Sequence, residues 1–460
     1  MNTQNNKNGK NGYNLVEGSI QKSLIRMTTP MIIGMLMLFT FSLVDTLFIS
    51  FLGTQSLAAI TFTFPLTFTI MSLAIGLGIG ASAVVAKYLG RSEFEKAKQA
   101  STVINYISLC LAILVVALCW LLMDQIFGLM GASEELMIPI RKYMVVWFPG
   151  SIMVVCIMTG NSVLRAYGDT KTPSIVMACA GLINAILDPI LIFGLGPAPE
   201  LGIQGAAWAT VIAWTLGYAY LLYLLVVKRE IVSPRLPSRS VMISSGREML
   251  RIGVPAAGAN MMTPLAAAIM TAIVARFGDN AVAAFGVGVR IEPIATLIVL
   301  AMSSSLPPLI SQNFGADRMD RVAEAYHIST RFILGWQMLV YVALALGATL
   351  IAGVFSDDPD VVATIRLFVW IMPLGYGLQG VIILTNSSLN ALHKPMVALY
   401  LSIARFFVFY VPLAYLGSIY FGLIGFFAGA VCGNFLMAMI SWRTFNRTLS
   451  EEPQLQEKPA

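Results

Sequence analysis

Residues 24–53 read "LIRMTTPMIIGMLMLFTFSLVDTLFISFLG", a stretch in which Arg26 and Asp45 are the only charged side chains. About 20 consecutive apolar residues are enough for a helix to cross a bilayer. Backbone groups in hydrocarbon find no water, so a spanning segment must be a helix or part of a closed barrel. Because this run is far too long for a barrel strand, it predicts a transmembrane helix that carries one internal carboxylate, Asp45.

The rest of the chain has the same character. Of its 460 residues, 57% are hydrophobic and only 11% are charged, whereas soluble proteins average about 25% charged residues. The fold class is therefore predicted to be an all-α polytopic membrane protein with twelve transmembrane helices. The predicted spans are 24–50, 56–88, 94–123, 135–165, 172–195, 201–227, 247–277, 280–313, 319–354, 360–391, 395–416 and 420–445.

The connections between these spans predict their orientation. Odd-numbered connections carry almost no Lys or Arg apart from Arg276, whereas the second connection alone holds Lys87, Arg91, Lys96 and Lys98. Basic residues concentrate in cytoplasmic loops. We therefore expect both termini in the cytoplasm and the protein in a bacterial inner membrane. The same loops account for the net charge of +6, so no nucleic-acid partner is expected.

The two halves of the chain resemble each other. Four pairs of stretches share one offset of 225 residues: "RMTTP" (26–30) with "RIGVP" (251–255), "FLGTQSLAA" (51–59) with "RFGDNAVAA" (276–284), "LGRSEFEKA" (89–97) with "FGADRMDRV" (314–322), and "NSVLRA" (161–166) with "NSSLNA" (386–391). Six helices per repeat is an even number, so both repeats enter the membrane in the same direction. This predicts two six-helix bundles related by a pseudo-twofold axis along the membrane normal, as in secondary transporters.

The repeat also predicts the domain organisation. We expect a cytoplasmic N-terminal segment (1–22), an N-lobe (23–227), a cytoplasmic linker (228–246), a C-lobe (247–446) and a cytoplasmic tail (447–460). The polar composition of the tail predicts disorder.

Two acids lie at membrane depth in the first repeat. Charges there cost several kcal/mol, so they usually face protein or water and serve a function. Asp45 and Asp188 are about 30 Å and 24 Å from the cytoplasmic ends of spans 1 and 5, at 1.5 Å per residue, which places both in the outer half. Asn184 lies one turn before Asp188 on the same face, and Pro189 frees a backbone carbonyl beside it.

Tyr143 in span 4 and Thr210 in span 6 are predicted at similar depth. Carboxylate, amide, phenol and hydroxyl groups at one level are suited to a proton or to Na⁺, because desolvation and like charge favour neutralising an acid. An intramembrane Asp can also be merely satisfied by a hydroxyl or backbone group. The repeat argues against that alternative, because the second copy has no acid at either position. Asp45 corresponds to Met270 at offset 225, and Asp188 corresponds to Tyr410 at offset 222, since three residues are lost before Pro395.

The second repeat has its own intramembrane charges, Arg290, Glu292 and Arg405. Arg290 and Glu292 are two residues apart and point to different faces of their helix. Glu292 and Arg405 could form a buried pair. Two interpretations stay open: a structural lock within the C-lobe, or a role in a cavity or gate.

Several motifs resemble the multidrug and toxic compound extrusion (MATE) family over residues 20–447, and most closely its DinF-like branch. They are "LVDTLFISFLG" in span 1, "LRAYGDTKTP" after span 4, "NAILDP" in span 5, "GAAWAT" in span 6 and "RIE" in span 8. The resemblance implies export of amphipathic, often cationic drugs in exchange for H⁺ or Na⁺.

By that resemblance Asp45, Tyr143, Asn184, Asp188 and Thr210 form the coupling-ion site. Asn161 would be a further polar contact of the N-lobe, and Pro30 would be the point at which helix 1 bends. An alternative within the same superfamily is a lipid-linked oligosaccharide flippase, which would need a more cationic cavity. No GxSG-type or HExxH motif indicates an enzyme. The chain is expected to need no cofactor beyond the coupling ion, and to act as a monomer on drug-like molecules within the lipid bilayer.

Overall fold

A computed structural model describes residues 14–456, without the side chains of Ser42, Thr54, Leu57 and 452–456. Its regular elements are all helical. The helices before the central linker are α1 (Ile20–Ser50), α2 (Thr54–Gly90), α3 (Phe94–Leu121), α4 (Met123–Leu129), α5 (Glu134–Ala166), α6 (Lys171–Phe193) and α7 (Ile203–Tyr223).

The remaining helices follow the linker. They are α8 (Arg239–Val274), α9 (Asp279–Ala295), α10 (Leu297–Gly315), α11 (Met319–Phe355), α12 (Pro359–Ile371), α13 (Tyr376–Ala391), α14 (Pro395–Ile403) and α15 (Val411–Gln456). Short π-helical segments, Leu224–Lys228 and Ala404–Tyr410, extend α7 and join α14 to α15.

The number of membrane crossings depends on how two segments are counted, the bent pair α9–α10 and the long segment Pro395–Glu451. Ten segments of the described chain are long and apolar enough to span a membrane, and α9 with α10 forms a further span that bends by 44°. The last of the ten segments, Pro395–Glu451, has 57 residues and would be about 85 Å long as one helix, almost three times the hydrocarbon thickness. It must therefore cross twice.

Gly422 is the point where this segment turns back, with φ 61° and ψ −144°. The two arms then pack closely through glycines. A Cβ on Gly425 would lie 2.1 Å from the carbonyl oxygen of Gly417, and one on Gly433 would lie 2.8 Å from the Cα of Tyr410. This antiparallel pairing makes two spans of α14–α15, which confirms the predicted all-α polytopic fold with twelve spans.

The structure differs from the predicted spans in three details. Predicted span 8 is broken at Thr296, between α9 and α10, and predicted span 10 is interrupted by the 3-10 turn Met372–Gly375. The last helix extends beyond the predicted span 420–445, because α15 continues to Gln456. An i,i+4 ion pair from Arg447 to Glu451, at 2.6 Å, favours the helix there. The tail beyond 456 and residues 1–13 lie outside the described residues.

Contacts divide the chain into two compact units. One contains Thr29–Ala257, and the other contains Gly18–Thr28 together with the chain from Gly258 onward. Helices α1 and α8 therefore each contribute to both units. In the second unit the Thr28 hydroxyl is 2.7 Å from that of Ser305. The predicted lobe boundaries stay a prediction.

Candidate ion-binding site

Helices α1 and α6 lie side by side in the first unit and run in the same direction. Their contacts rise together in residue number: Gly34 with Ser174, Phe41 with Gly181, and Phe48 with Phe193. The approach is closest at the glycines, since a Cβ on Gly34 would lie 2.9 Å from that of Ser174. This register places Asp45 of α1 and Asp188 of α6 at one level.

Helices α6 and α7 form a tight hairpin that adds the next two polar groups. The Leu201 amide donates to the Leu191 carbonyl oxygen at 3.0 Å. A Cβ on Gly205 would lie 2.3 Å from that same oxygen, so only glycine allows the two helices to approach so closely. The antiparallel pairing brings Thr210 of α7 opposite Asn184 of α6.

The four side chains form one cluster. Asn184 Nδ2 donates to Asp188 Oδ1 and to Thr210 Oγ1, both at 3.3 Å. Thr210 Oγ1 in turn donates to the Ala206 carbonyl oxygen at 3.0 Å. Asp188 is fully buried and Asp45 is half-buried. Asp45 is close enough to Asp188 for the two carboxyl groups to interact.

The cluster has unused acceptor atoms. Among the described residues, Asp45 Oδ1 and Asp188 Oδ2 are buried without a hydrogen-bond partner. The buried phenol of Tyr143 on α5 lies within electrostatic range of both acids. Helix α5 packs between α2 and α7, which holds this phenol in place. The structure thus brings Asp45, Asn184, Asp188 and Thr210 into one cluster, with Tyr143 near enough to interact with both acids. Their role in binding a coupling ion stays a prediction.

Asn161 and Pro30 lie away from this cluster. Asn161 is on α5, about 27 Å beyond Tyr143 at 1.5 Å per residue. It is fully buried, and neither atom of its amide has a partner in the described part of the chain. Pro30 is inside α1, two residues after the chain passes from one compact unit to the other.

The charges of the second unit do not form the direct pair that the sequence allows. Glu292 Oε1 accepts from Gln379 Nε2 at 2.8 Å, and Arg405 Nε donates to Asn434 Oδ1 at 3.2 Å. Within the described residues no ion pair joins Glu292 to Arg405 within 4 Å. Each of the two side chains hydrogen-bonds to a neutral partner instead. Arg290 is exposed and is not part of a buried cluster.

Sequence reasoning missed Gln379 and Asn434. Both are uncharged polar residues within apolar spans, which a search for intramembrane charges passes over. Tyr376 is a third such residue: it is buried near Glu292, and its hydroxyl has no hydrogen-bond partner in the described chain. A search for all hydrogen-bonding groups at membrane depth would have found these residues.

Comparisons with known proteins agree with this architecture. The MatE family profile matches residues 30–190 and again 255–416, at the spacing of the internal repeat. The chain is 39% identical over 433 residues to a FAD transporter of Shewanella oneidensis, covering 94% of this chain and 95% of that protein. It is 26% identical to the multidrug export protein MepA of Staphylococcus haemolyticus, over 96% and 97% of the two chains.

A solved structure matches over almost the whole length. The bent form of the Vibrio cholerae MATE transporter VcmN superposes with a TM-score of 0.89 at 34% identity, covering 94% of this chain and 98% of that one. Its similarity extends over both repeats. The chain belongs to the MATE family of membrane transporters and is not an enzyme.

Proposed function

We propose that this protein exports small amphipathic molecules across the bacterial inner membrane in exchange for a cation bound by Asp45 and Asp188. The observation that carries the proposal is the buried cluster in the first unit. Two acids at membrane depth keep unused oxygens there, and Asn184 and Thr210 hold one of them in position. An intramembrane acid without a fixed positive partner is a candidate for reversible neutralisation.

A proton suits this cluster better than Na⁺ does. Two carboxylates that interact directly in a low dielectric repel each other unless a proton or cation lies between them. A single proton on either of the two interacting acids would remove this repulsion. Na⁺ would need several oxygens around it, and the Thr210 hydroxyl already hydrogen-bonds to Asn184 and to Ala206.

Neutralisation at Asp45 would act on transport through α1. Much of this helix is exposed, including Ile33 at 56% and Leu43 at 68%, so few contacts hold it in the first unit. Pro30 removes one backbone hydrogen bond from its interior. A bend at Pro30 on ion binding is the conformational change that we propose, and a bent form is known for the related VcmN transporter.

The first candidate substrate class is the amphipathic organic cation. The relative MepA is a multidrug export protein. The 25 methionines of the chain include side chains able to adapt to ligands of different shape.

The second candidate is a flavin nucleotide, favoured by the FAD transporter relative and by Arg405. Arg405 is buried at membrane depth, where its Nε donates to Asn434 and its guanidinium group lies over the Phe406 ring. A guanidinium group is suited to the phosphate and imide oxygens of such a substrate. Glu292 and Gln379 lie in the same unit and could pair with its donor groups.

Transport from proteoliposomes tests the proposal. A pH gradient or a Na⁺ gradient is imposed separately, and efflux of ethidium or of FAD is followed. We expect the pH gradient to drive efflux of at least one substrate, and Asp45→Asn and Asp188→Asn to abolish that dependence. Asp360→Asn, on the exposed first turn of α12, is the matched control. Efflux at the wild-type rate from both Asn variants would refute the proposed ion site.

A further inference from the structure

An open cavity of about 820 Å³ lies between α3 and the first turns of α8. Three arginines of α8, Arg239, Arg247 and Arg251, line it. A cavity of this volume is typical of sites for drug-sized ligands and is larger than a single small anion requires. It lies within the first unit and is distinct from the acid cluster.

The three arginines have no fixed counter-charge. In the part of the chain that the structure describes, none of them forms an ion pair, and all three are exposed. The one acid on this stretch of α8, Glu248, pairs instead with Lys87 of α2 at 3.1 Å. Three like charges around one cavity repel each other, so an anionic ligand there would be stabilised.

The other walls of the cavity are apolar. Ile107 of α3 lines it together with Met242, Ile243 and Leu250 of α8. Gly246 forms part of the same wall, where a Cβ would lie 2.3 Å from the end of Ile107. The site therefore combines cationic groups with hydrocarbon surface, which suits a ligand with an anionic head and apolar carbons.

The cavity lies at the edge of the bilayer. Residues 252–274 of α8 carry no charge and extend about 35 Å, slightly more than the hydrocarbon thickness. Arg251 is thus at the start of the apolar span, and Arg247 is one turn farther out on the same face. This is the depth at which lipid phosphates are found.

The protein builds this site by tying the linker to α3. The Ser233 amide donates to Thr102 Oγ1 at 2.9 Å, and the Tyr106 hydroxyl donates to the Pro234 carbonyl oxygen at 3.3 Å. These bonds fix the segment that leads into α8 at Arg239. Charges needed only for membrane orientation would not require such an arrangement.

We propose that this cavity binds the headgroup of an anionic phospholipid, with its phosphate between Arg247 and Arg251 and its first acyl carbons on Ile107 and Leu250. Arg239 contacts the outer part of the headgroup. The bound lipid links α3 to the start of α8, the helix that continues into the second compact unit. Basic cavities between helices at a membrane surface are suited to such headgroups.

Lipid retention tests this proposal on the full-length protein. The wild type is titrated with phosphatidylglycerol in phosphatidylcholine nanodiscs, and bound lipid is counted by native mass spectrometry after release. We expect preferential retention of phosphatidylglycerol, and an apparent affinity about thirtyfold weaker in the double variant Arg247→Gln/Arg251→Gln, because each basic residue contributes roughly fivefold. Arg247→Lys/Arg251→Lys keeps both charges and should retain most of the binding.

The control is Lys228→Gln/Arg235→Gln, which removes two charges from the segment that precedes α8, outside the cavity. It should bind phosphatidylglycerol like the wild type. Equal loss in the pocket and control variants would overturn the proposal, and so would equal retention in both. Displacement of the lipid by millimolar inorganic phosphate would show a site for a free anion instead.

Discussion

At the scale of single residues, the acid pair is the feature that the sequence predicts best. Asp45 and Asp188 stand out because a charge within an apolar span is costly, and helical rise alone gives their matched depth. The structure adds the hydrogen bonds from Asn184, which depend on the hairpin geometry of α6 and α7. No sequence pattern contains that geometry.

Thr210 supports the acid pair indirectly, and its removal is the first prediction at this scale. Thr210→Val keeps the shape but deletes the hydroxyl that accepts from Asn184 at 3.3 Å. Losing one such hydrogen bond costs about 1 kcal/mol, so we expect proton-driven efflux to fall severalfold without being abolished. Thr271→Val is the control. Thr271 is an exposed residue of α8, and its hydroxyl likewise donates to the carbonyl oxygen four residues earlier. An equal effect of both changes in the transport assay would contradict a specific role for Thr210.

Arg405 carries the second prediction, which separates the two substrate classes. Arg405→Gln removes the positive charge while leaving a side chain that can still hydrogen-bond to Asn434. If flavin nucleotides are substrates, we expect their efflux to fall at least tenfold and efflux of ethidium to change little. Arg276→Gln, at an exposed position over the Tyr415 ring, should leave both rates unchanged. A parallel loss for both substrates would indicate that Arg405 is a structural lock.

At the scale of helices, hydropathy predicts where the chain crosses but not how each crossing is built. The predicted spans coincide with the helices within a few residues for most of the chain. The bend at Thr296 and the 3-10 turn at Met372–Gly375 are not predicted, because a single Pro within an apolar run is compatible with a straight or a broken helix. A boundary between two spans is predicted at 417–419, and the turn itself lies three residues later, at Gly422 inside the predicted last span.

Close packing of glycines in α15 gives the prediction at this scale. Gly425→Ala would place a Cβ 2.1 Å from the Gly417 carbonyl oxygen, and that backbone cannot move aside easily. We expect a loss of about 1–3 kcal/mol and a melting temperature several degrees lower in detergent. Gly335→Ala on α11 meets nothing within 4 Å and should be neutral or stabilising. Equal melting temperatures for the two variants would contradict the hairpin.

At the scale of the whole molecule, the repeat in the sequence predicts a duplicated architecture, and the family match at 30–190 and 255–416 shows the same duplication. The sequence does not show that α1 and α8 each contribute to two compact units. That exchange depends on which side chains meet in three dimensions, such as Thr28 and Ser305.

Membrane orientation is the prediction at this scale. In a variant whose five native cysteines are replaced by serine, Asp357→Cys in the α11–α12 connection should react with an impermeant maleimide from outside intact cells. Ser238→Cys in the linker should react only after the membrane is opened. The positive-inside pattern is the physical reason, and the reverse labelling would contradict the assignment of both termini to the cytoplasm.

Proton release is the most direct measurement of the central claim, that Asp45 and Asp188 bind the coupling ion. The purified protein is mixed with saturating substrate in weak buffer, and the pH change is recorded. We predict that wild type and Asp360→Asn release protons on binding substrate, whereas Asp45→Asn and Asp188→Asn bind substrate and release none. Proton release of wild-type size from both Asn variants would contradict the account.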